Sequence, residues 1–209
     1  MRAVLICNGS AGTNLLHRNI SSGDFIVAVD GGANKLVKTK FRPDIIIGDM
    51  DSINSVARAK FRAVKMLSYP REKDKVDLEL ALDYCIERKF SEILILGAIG
   101  GRVDMTLTNV FLLDKIPSGV NARLMHQNQE VFVIRKPAEL HGVPGETISL
   151  FPLNKGVKGL TLSGFKYELK NFNLRFGIGL GLSNEFRDKT AKVSFSEGPL
   201  VCVHFRKYY

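Results

Sequence analysis

Residues 77–96, DLELALDYCIERKFSEILIL, decide how this chain folds. Leu78, Ala81, Leu82, Cys85 and Ile86 recur at i, i+3, i+4, i+7 and i+8, which gathers them into one apolar stripe of a helix over residues 77–89. Residues 93–96 follow as an unbroken aliphatic run, the pattern of a strand buried on both faces. The same grammar extends both ways along the chain. Residues 2–7, 25–29, 45–47 and 64–67 read as further buried strands, and residues 103–113, opened by a Gly-rich loop and closed before Pro117, as a further helix. Strands alternating with helices predict a mostly parallel α/β domain over residues 1–121.

From about Ala122 the runs become short and are broken by turn residues: 122–126, 131–134, 147–150, 159–162, 193–196 and 200–205. Gln127-Asn128-Gln129 reads as a polar hairpin connection between the first two. Residues 122–209 are therefore expected to be all-β, a sandwich or a small barrel.

The 209 residues are 45% hydrophobic and 24% charged, too apolar for disorder and long enough for two modest cores at roughly 100 to 200 residues per domain. No window approaches 18 apolar residues, so no membrane span is expected, and the first apolar run is too short for a secretory signal; a cytoplasmic address follows. Cys7, Cys85 and Cys202 are odd in number, far apart and set in apolar stretches, which suits reduced core thiols. The formal charge of +9 invites a nucleic-acid partner, yet the basic residues form no long block and no RNP-like aromatic motif is present. The placement of acids says more, because ten of the eleven aspartates lie before Ala122.

Ligands of open α/β sheets bind beyond the carboxyl ends of the strands, so the loops there are where chemistry is sought. Asp30-Gly31-Gly32-Ala33 offers a carboxylate and two glycines that let backbone approach a nucleotide. In Gly48-Asp49-Met50-Asp51-Ser52, an extended chain would project Asp49 and Asp51 from one side, roughly 6.5 to 7 Å apart, a spacing that can hold a hard cation. Lys73-Asp74-Lys75-Val76-Asp77 heads the strong helix, with Asp74 as its expected N-cap and Asp77 as a favourable first-turn acid. Gly97-Ala98-Ile99-Gly100-Gly101-Arg102-Val103-Asp104 is a Gly-rich loop that can form an anion nest, with Arg102 adding a bidentate phosphate contact. Gly177, Gly179 and Gly181 alternate; on a strand they would strip one face bare for a flat ring, or mark a strongly bent strand.

In this order and spacing, the motifs from Asp30-Gly31-Gly32 to Gly181-Leu182-Ser183-Asn184-Glu185-Phe186 resemble the thiamine pyrophosphokinase family over nearly the whole chain. The resemblance implies an N-terminal α/β domain, a C-terminal β-sandwich, a homodimer with composite sites at the interface, and Mg-dependent transfer of diphosphate from ATP to thiamine, releasing AMP. It implies Asp49, Asp51, Asp74 and Asp77 as the catalytic and Mg-handling acids. Asp30, Gly31, Gly32, Lys73, Gly100, Gly101, Arg102 and Asp104 fall to ATP, and Tyr167, Ser183 and Asn184 to thiamine. Val76 stands where Thr is typical of the family, and Met105 where His is typical. Transfer to the thiamine hydroxyl needs neutralised phosphate oxygens and an in-line nucleophile rather than a covalent intermediate, and Asp74 or Asp77 is the expected proton acceptor. The rival readings are another Mg-dependent nucleotide phosphotransferase or hydrolase, or a nucleotide or nucleic-acid binding module.

Overall fold

The structure, a computed structural model, describes residues 1–207. The chain divides into two compact units that meet in sequence at Gln127 and Asn128.

The first unit alternates strand and helix: β1 (Arg2–Ile6), α1 (Thr13–Asn19), β2 (Phe25–Val29), α2 (Ala33–Leu36), β3 (Ile45–Gly48), α3 (Ser55–Lys60), β4 (Lys65–Ser68), α4 (Asp77–Glu87), β5 (Glu92–Leu96), α5 (Val103–Phe111) and β6 (Asn121–His126). Every neighbouring pair in the order β4-β3-β2-β1-β5-β6 is parallel, with Leu5 facing Val27 on one side and Ile95 on the other. Such strands bury both faces, which is why they read as continuous aliphatic runs. Val4, Ile6, Ile26, Ala28 and Ile46 join Leu16, Leu36, Ala57 and Phe61 of the flanking segments in one core. The stripe of α4 is buried as its spacing predicts, through Leu78, Ala81, Leu82 and Cys85, and packs over β2 and β3.

Two boundaries move. Helix α4 stops at Glu87 because Lys89 takes a left-handed backbone (φ 58), the usual end of an α-helix. Residues 122–126, assigned from sequence to the all-β part, instead pair in parallel with β5, Ile93 facing Ala122, and close the edge of the first unit. Their short alternating run carries no mark of which sheet it joins.

The second unit is a sandwich of two antiparallel sheets. One has the order β12 (Asn184–Glu185), β9 (Thr147–Pro152), β14 (Leu200–Phe205), β7 (Gln129–Ile134). The other has the order β11 (Leu169–Arg175), β10 (Gly156–Ser163), β13 (Thr190–Ser194), β8 (Ala138–His141). Ile148, Leu150, Leu160, Phe165, Leu174, Phe186, Val193 and Leu200 fill the space between them. The alternating glycines are not on a strand: Gly177 turns at φ 82, Gly179–Gly181 form a single 3-10 turn, and Gly181 lies against the Leu150 carbonyl where a side chain would collide. No helix among the described residues is long and apolar enough to cross a membrane.

Candidate active site

The strand order reverses direction between β1 and β5, the topological switch point at which α/β sheets open a crevice. A cleft of about 640 Å³ lies there, of the size that holds small ligands. Its walls are the loops after the strands: Cys7 to Gly9 after β1, Asp30 after β2, Asp51 and Ser52 after β3, Arg71 and Lys73 to Leu78 before and at the head of α4, and Gly97, Ala98 and Gly100 to Arg102 after β5. Backbone bonds from Gly9 to Gly97 (2.8 Å) and from Ser10 to Ile99 (2.7 Å) tie the first and last of these loops together.

The acids are arranged differently from the extended-chain expectation. Met50 adopts φ 68, so the chain turns between Asp49 and Asp51, and the Asp51 amide donates to the Asp49 carboxylate (3.1 Å). Asp30, also left-handed at φ 44, approaches from the neighbouring strand end, and ligand atoms of Asp30, Asp49 and Asp51 all lie within 4.8 Å of one another. Gly48 makes this approach feasible, since a Cβ there would sit 2.7 Å from that of Asp30. Met50 has its side chain in the core beneath, so the strained turn is anchored from below. Gly31 and Gly32 are buried under Asn8 and the Ile6 carbonyl, where side chains would collide, so they seat Asp30 rather than line the cleft.

Cations balance the acids. Lys73 Nζ lies 3.0 Å from Asp77 and 3.7 Å from Asp49, and Arg71 lies 3.8 Å from Asp51. The Asp51 amide, with Lys73 and Arg71 in support, holds the Asp49 carboxyl below the usual carboxylate range. Burial raises Asp77 instead, against the pull of Lys73. Asp74 lines the cleft but does not cap α4; the N-cap is Val76, which offers no side-chain acceptor. Burial also pushes the Cys7 thiol up to about 12, so this cleft residue is a neutral wall and not a nucleophile.

On the opposite wall, Gly100 and Gly101 open the approach to α5, and Arg102, its N-cap, is exposed with its guanidinium on Asp104. Arg102 faces the cleft, whereas Asp104 does not line it. Asn109 is buried on the same wall, donating to the Ala98 carbonyl at 2.7 Å. Sequence reasoning passed over Arg71 and Asn109. Their placement depends on how the loops fold back, which no local pattern announces.

Tyr167, Ser183 and Asn184 belong to the second unit. Tyr167 is exposed, Ser183 is left-handed (φ 52) with its amide bonded to Ser149 Oγ (3.1 Å), and Asn184 is buried.

Comparison with known proteins agrees with this division. Residues 16–125 match the family described as thiamin pyrophosphokinase, catalytic domain, and residues 132–200 match its vitamin B1 binding domain. The chain belongs to the thiamin pyrophosphokinase family. The thiamine pyrophosphokinase of Bacillus subtilis is 33% identical over 183 residues, 85% of each chain. The crystal structure of a Bacillus subtilis thiamine pyrophosphokinase superposes with a TM-score of 0.90 at 27% identity, covering 99% of this chain and all of that one. That of Geobacillus thermodenitrificans gives 0.87 at 29%, covering 100% and 99%.

Proposed function

We propose that this member of the thiamin pyrophosphokinase family transfers the diphosphate of ATP to the hydroxyl of thiamine, giving thiamine diphosphate and AMP, with the nucleotide and Mg2+ held by the first unit and thiamine by the second. The observation that carries the reading is the aspartate trio at the switch-point cleft, bordered by Lys73, Arg71 and Arg102.

The trio suits a hard divalent cation. Its donors are all carboxylate oxygens, the preference of Mg2+, and Asp30 Oδ1 is buried with no partner among the described residues, which is costly unless a cation completes it. Asp30, Asp49 and Asp51 would hold the ion; Asp74 and Asp77, assigned to it by resemblance, lie outside the convergent three. When bound, the metal supplies charge neutralisation for the phosphate oxygens. Lys73 and Arg71 compensate the acids in its absence and are placed to contact polyphosphate. Gly100 and Gly101 offer backbone amides, and Arg102 exchanges Asp104 for a phosphate. Asp77 is the favoured proton acceptor of the two candidates, because burial raises its basicity while Lys73 keeps it oriented.

A homodimer belongs to the same reading. Val103, Leu107 and Phe111 form an exposed apolar stripe at i, i+4 and i+8 on α5, and Phe176, Ile178, Leu180 and Leu182 are exposed on one loop of the second unit, surfaces of a kind that are buried by association. The buried cysteines accord with a reducing, cytoplasmic setting.

Incubation with Mg-ATP and thiamine tests the reaction: AMP and thiamine diphosphate in equal amounts are expected, and ADP or thiamine-independent phosphate release would replace this reading by a different phosphotransferase or a hydrolase. Asp77→Asn is expected to lower turnover at least tenfold, about 1.4 kcal/mol in barrier, and an unchanged rate would remove it as the base.

A further inference from the structure

The carboxamide of Asn184 is committed on almost every side. Oδ1 accepts from the Tyr167 amide (2.9 Å) and from its neighbour Glu185 (2.9 Å), while Nδ2 donates to the Tyr167 carbonyl (2.7 Å). The residue is 4% exposed, so a single N–H remains and almost none of the side chain reaches solvent. Tyr167 is the converse: its backbone is bracketed by Asn184 while the residue as a whole is 57% exposed. The flanks are fixed as well. Phe165, two residues earlier, is fully buried and bridges to Phe186, and Lys166 pairs with Glu185 through both its backbone amide (2.9 Å) and its Nζ (3.0 Å). A two-residue strand, Asn184 facing Ile148, ties the clamp to the sandwich.

We infer that Asn184 is a positioning residue, which holds the Tyr167 ring in place for the flat rings of thiamine, and is not itself a thiamine contact. The inference rests on the reading that Tyr167 stacks on the vitamin, and it reassigns a residue that family resemblance places among the ligands. An exposed ring on a loop gives up conformational freedom when it binds; a peptide already fixed at both its N–H and its C=O has given that up on folding.

The chain contains no tryptophan, so Tyr167→Trp provides a single fluorescent reporter. In that background thiamine is expected to quench the indole, and adding Asn184→Ala should raise the half-quenching concentration about tenfold and lower the indole's fluorescence anisotropy without ligand. In the otherwise native chain, Asn184→Ala should raise the KM for thiamine with little change in the KM for Mg-ATP. The double variant Tyr167→Ala/Asn184→Ala should be no worse than Tyr167→Ala, because both remove one device. Should Asn184→Ala fold poorly, Asn184→Asp keeps both accepted bonds and loses the donated one, with the same expected direction.

Effects that multiply in the double variant would make Asn184 a direct contact and overturn the inference, as would unchanged thiamine affinity. If Tyr167→Ala leaves the KM for thiamine alone while the native chain still forms thiamine diphosphate, the ring is not part of the site and the inference falls, but the reaction stands. Absence of product from the native chain is the separate failure that would sink the reaction itself.

Discussion

Asp30 and Asn184 are both more than nine-tenths buried, one in each unit, and the chain treats them in opposite ways. Asp30 sits on a left-handed backbone with a buried oxygen that bonds to nothing described, next to two further carboxylates. Asn184 makes three hydrogen bonds within its own unit. Ser149 and Glu146 continue that second pattern, the first holding Ser183 and the second accepting from Val143, Lys207 and His204. A buried polar group left open stores free energy that a ligand of the right charge can recover; one satisfied internally builds a rigid platform and leaves recognition to what it displays. The contrast matches the two substrates. Polyphosphate with a metal needs open charge, whereas a cationic pair of aromatic rings needs a fixed surface and no buried countercharge.

The strongest way to break this contrast is to remove one open acid. Asp49→Asn should lower turnover about 10²- to 10³-fold, about 2.7–4 kcal/mol in barrier, the loss typical when one preorganised charge contact is deleted. Without metal its melting midpoint should hold or fall slightly, since the Asp51 amide and Lys73 stabilise the Asp49 carboxylate in the fold even with two acids within 4.8 Å. The Mg2+-induced rise in midpoint should shrink. Asp74→Asn, outside the trio, should cost less than tenfold; if it matched Asp49→Asn in both assays, the division of acids drawn here would be wrong.

How far the site could be read in advance follows from the same residues. The helix that begins at Asp77, the four strands before it and the one after it were legible because buried periodicity is a property of the chain itself. The acidic pair was legible in identity but not in shape, because Met50 at φ 68 carries none of the Gly or Asn signals of a left-handed turn. Asp30 was placed with the nucleotide because its convergence with Asp49 and Asp51 is created by the neighbouring register of β2 and β3, Val29 beside Ile47, and not by spacing. In the second unit, β11 was missed since Lys170 to Asn173 are exposed in succession and show no alternation. The glycines of residues 177–181 were given a period of two that the backbone does not follow, because a 3-10 turn uses the same residues to approach Leu150.

The satisfied side of the contrast can be tested at Glu146, which is 2% exposed, as is its partner His204 at 2.8 Å. Glu146→Ala would leave the amides of Val143 and Lys207 and the His204 ring without their acceptor, a loss of about 3 kcal/mol. At roughly 2–4 °C per kcal/mol for a chain of this size, the midpoint should fall by about 6–12 °C, with the KM for Mg-ATP unchanged. Acid should act in the same direction. Burial, and then Arg206, holds His204 below the free imidazole value of 6.5, so it is neutral when folded and donates from Nε2 to Glu146. An unfolded chain takes up that proton first; the contribution of His204 is therefore complete above pH 6.5 and is lost as the pH falls from there through the folded value. Glu146 is held low despite its burial by the Val143 and Lys207 amides and by His204, so its contribution is lost only below 4.5. Thermal melts between pH 7.5 and 5.5 should show the first loss, and His204→Gln should flatten it.

The smallest effect concerns a helix that serves the open site and is itself incompletely satisfied. Helix α3 begins at Asn54, whose Oδ1 accepts from the Ala57 amide at 2.8 Å. Helix α4 is nearly twice as long and carries Asp77 in its first turn, yet it begins at Val76, which has the extended backbone of an N-cap (φ −74, ψ 158) and no oxygen to offer. Val76→Thr would supply one without changing side-chain shape much, and Glu79 already stands three residues on, where a capping box needs its acid. Lys115 competes for Glu79 at 2.9 Å, so the reciprocal half of the box should form only in part. The expected gain is about 0.5–1 kcal/mol, or roughly 1–4 °C in melting midpoint. Turnover should change by less than about threefold, since the substitution steadies Asp77 without moving its charge. A Val76→Thr chain that melts no higher would show that the amides at the head of α4 are already satisfied by water, and that the open character of the first unit extends from its carboxylates to the helix that presents them.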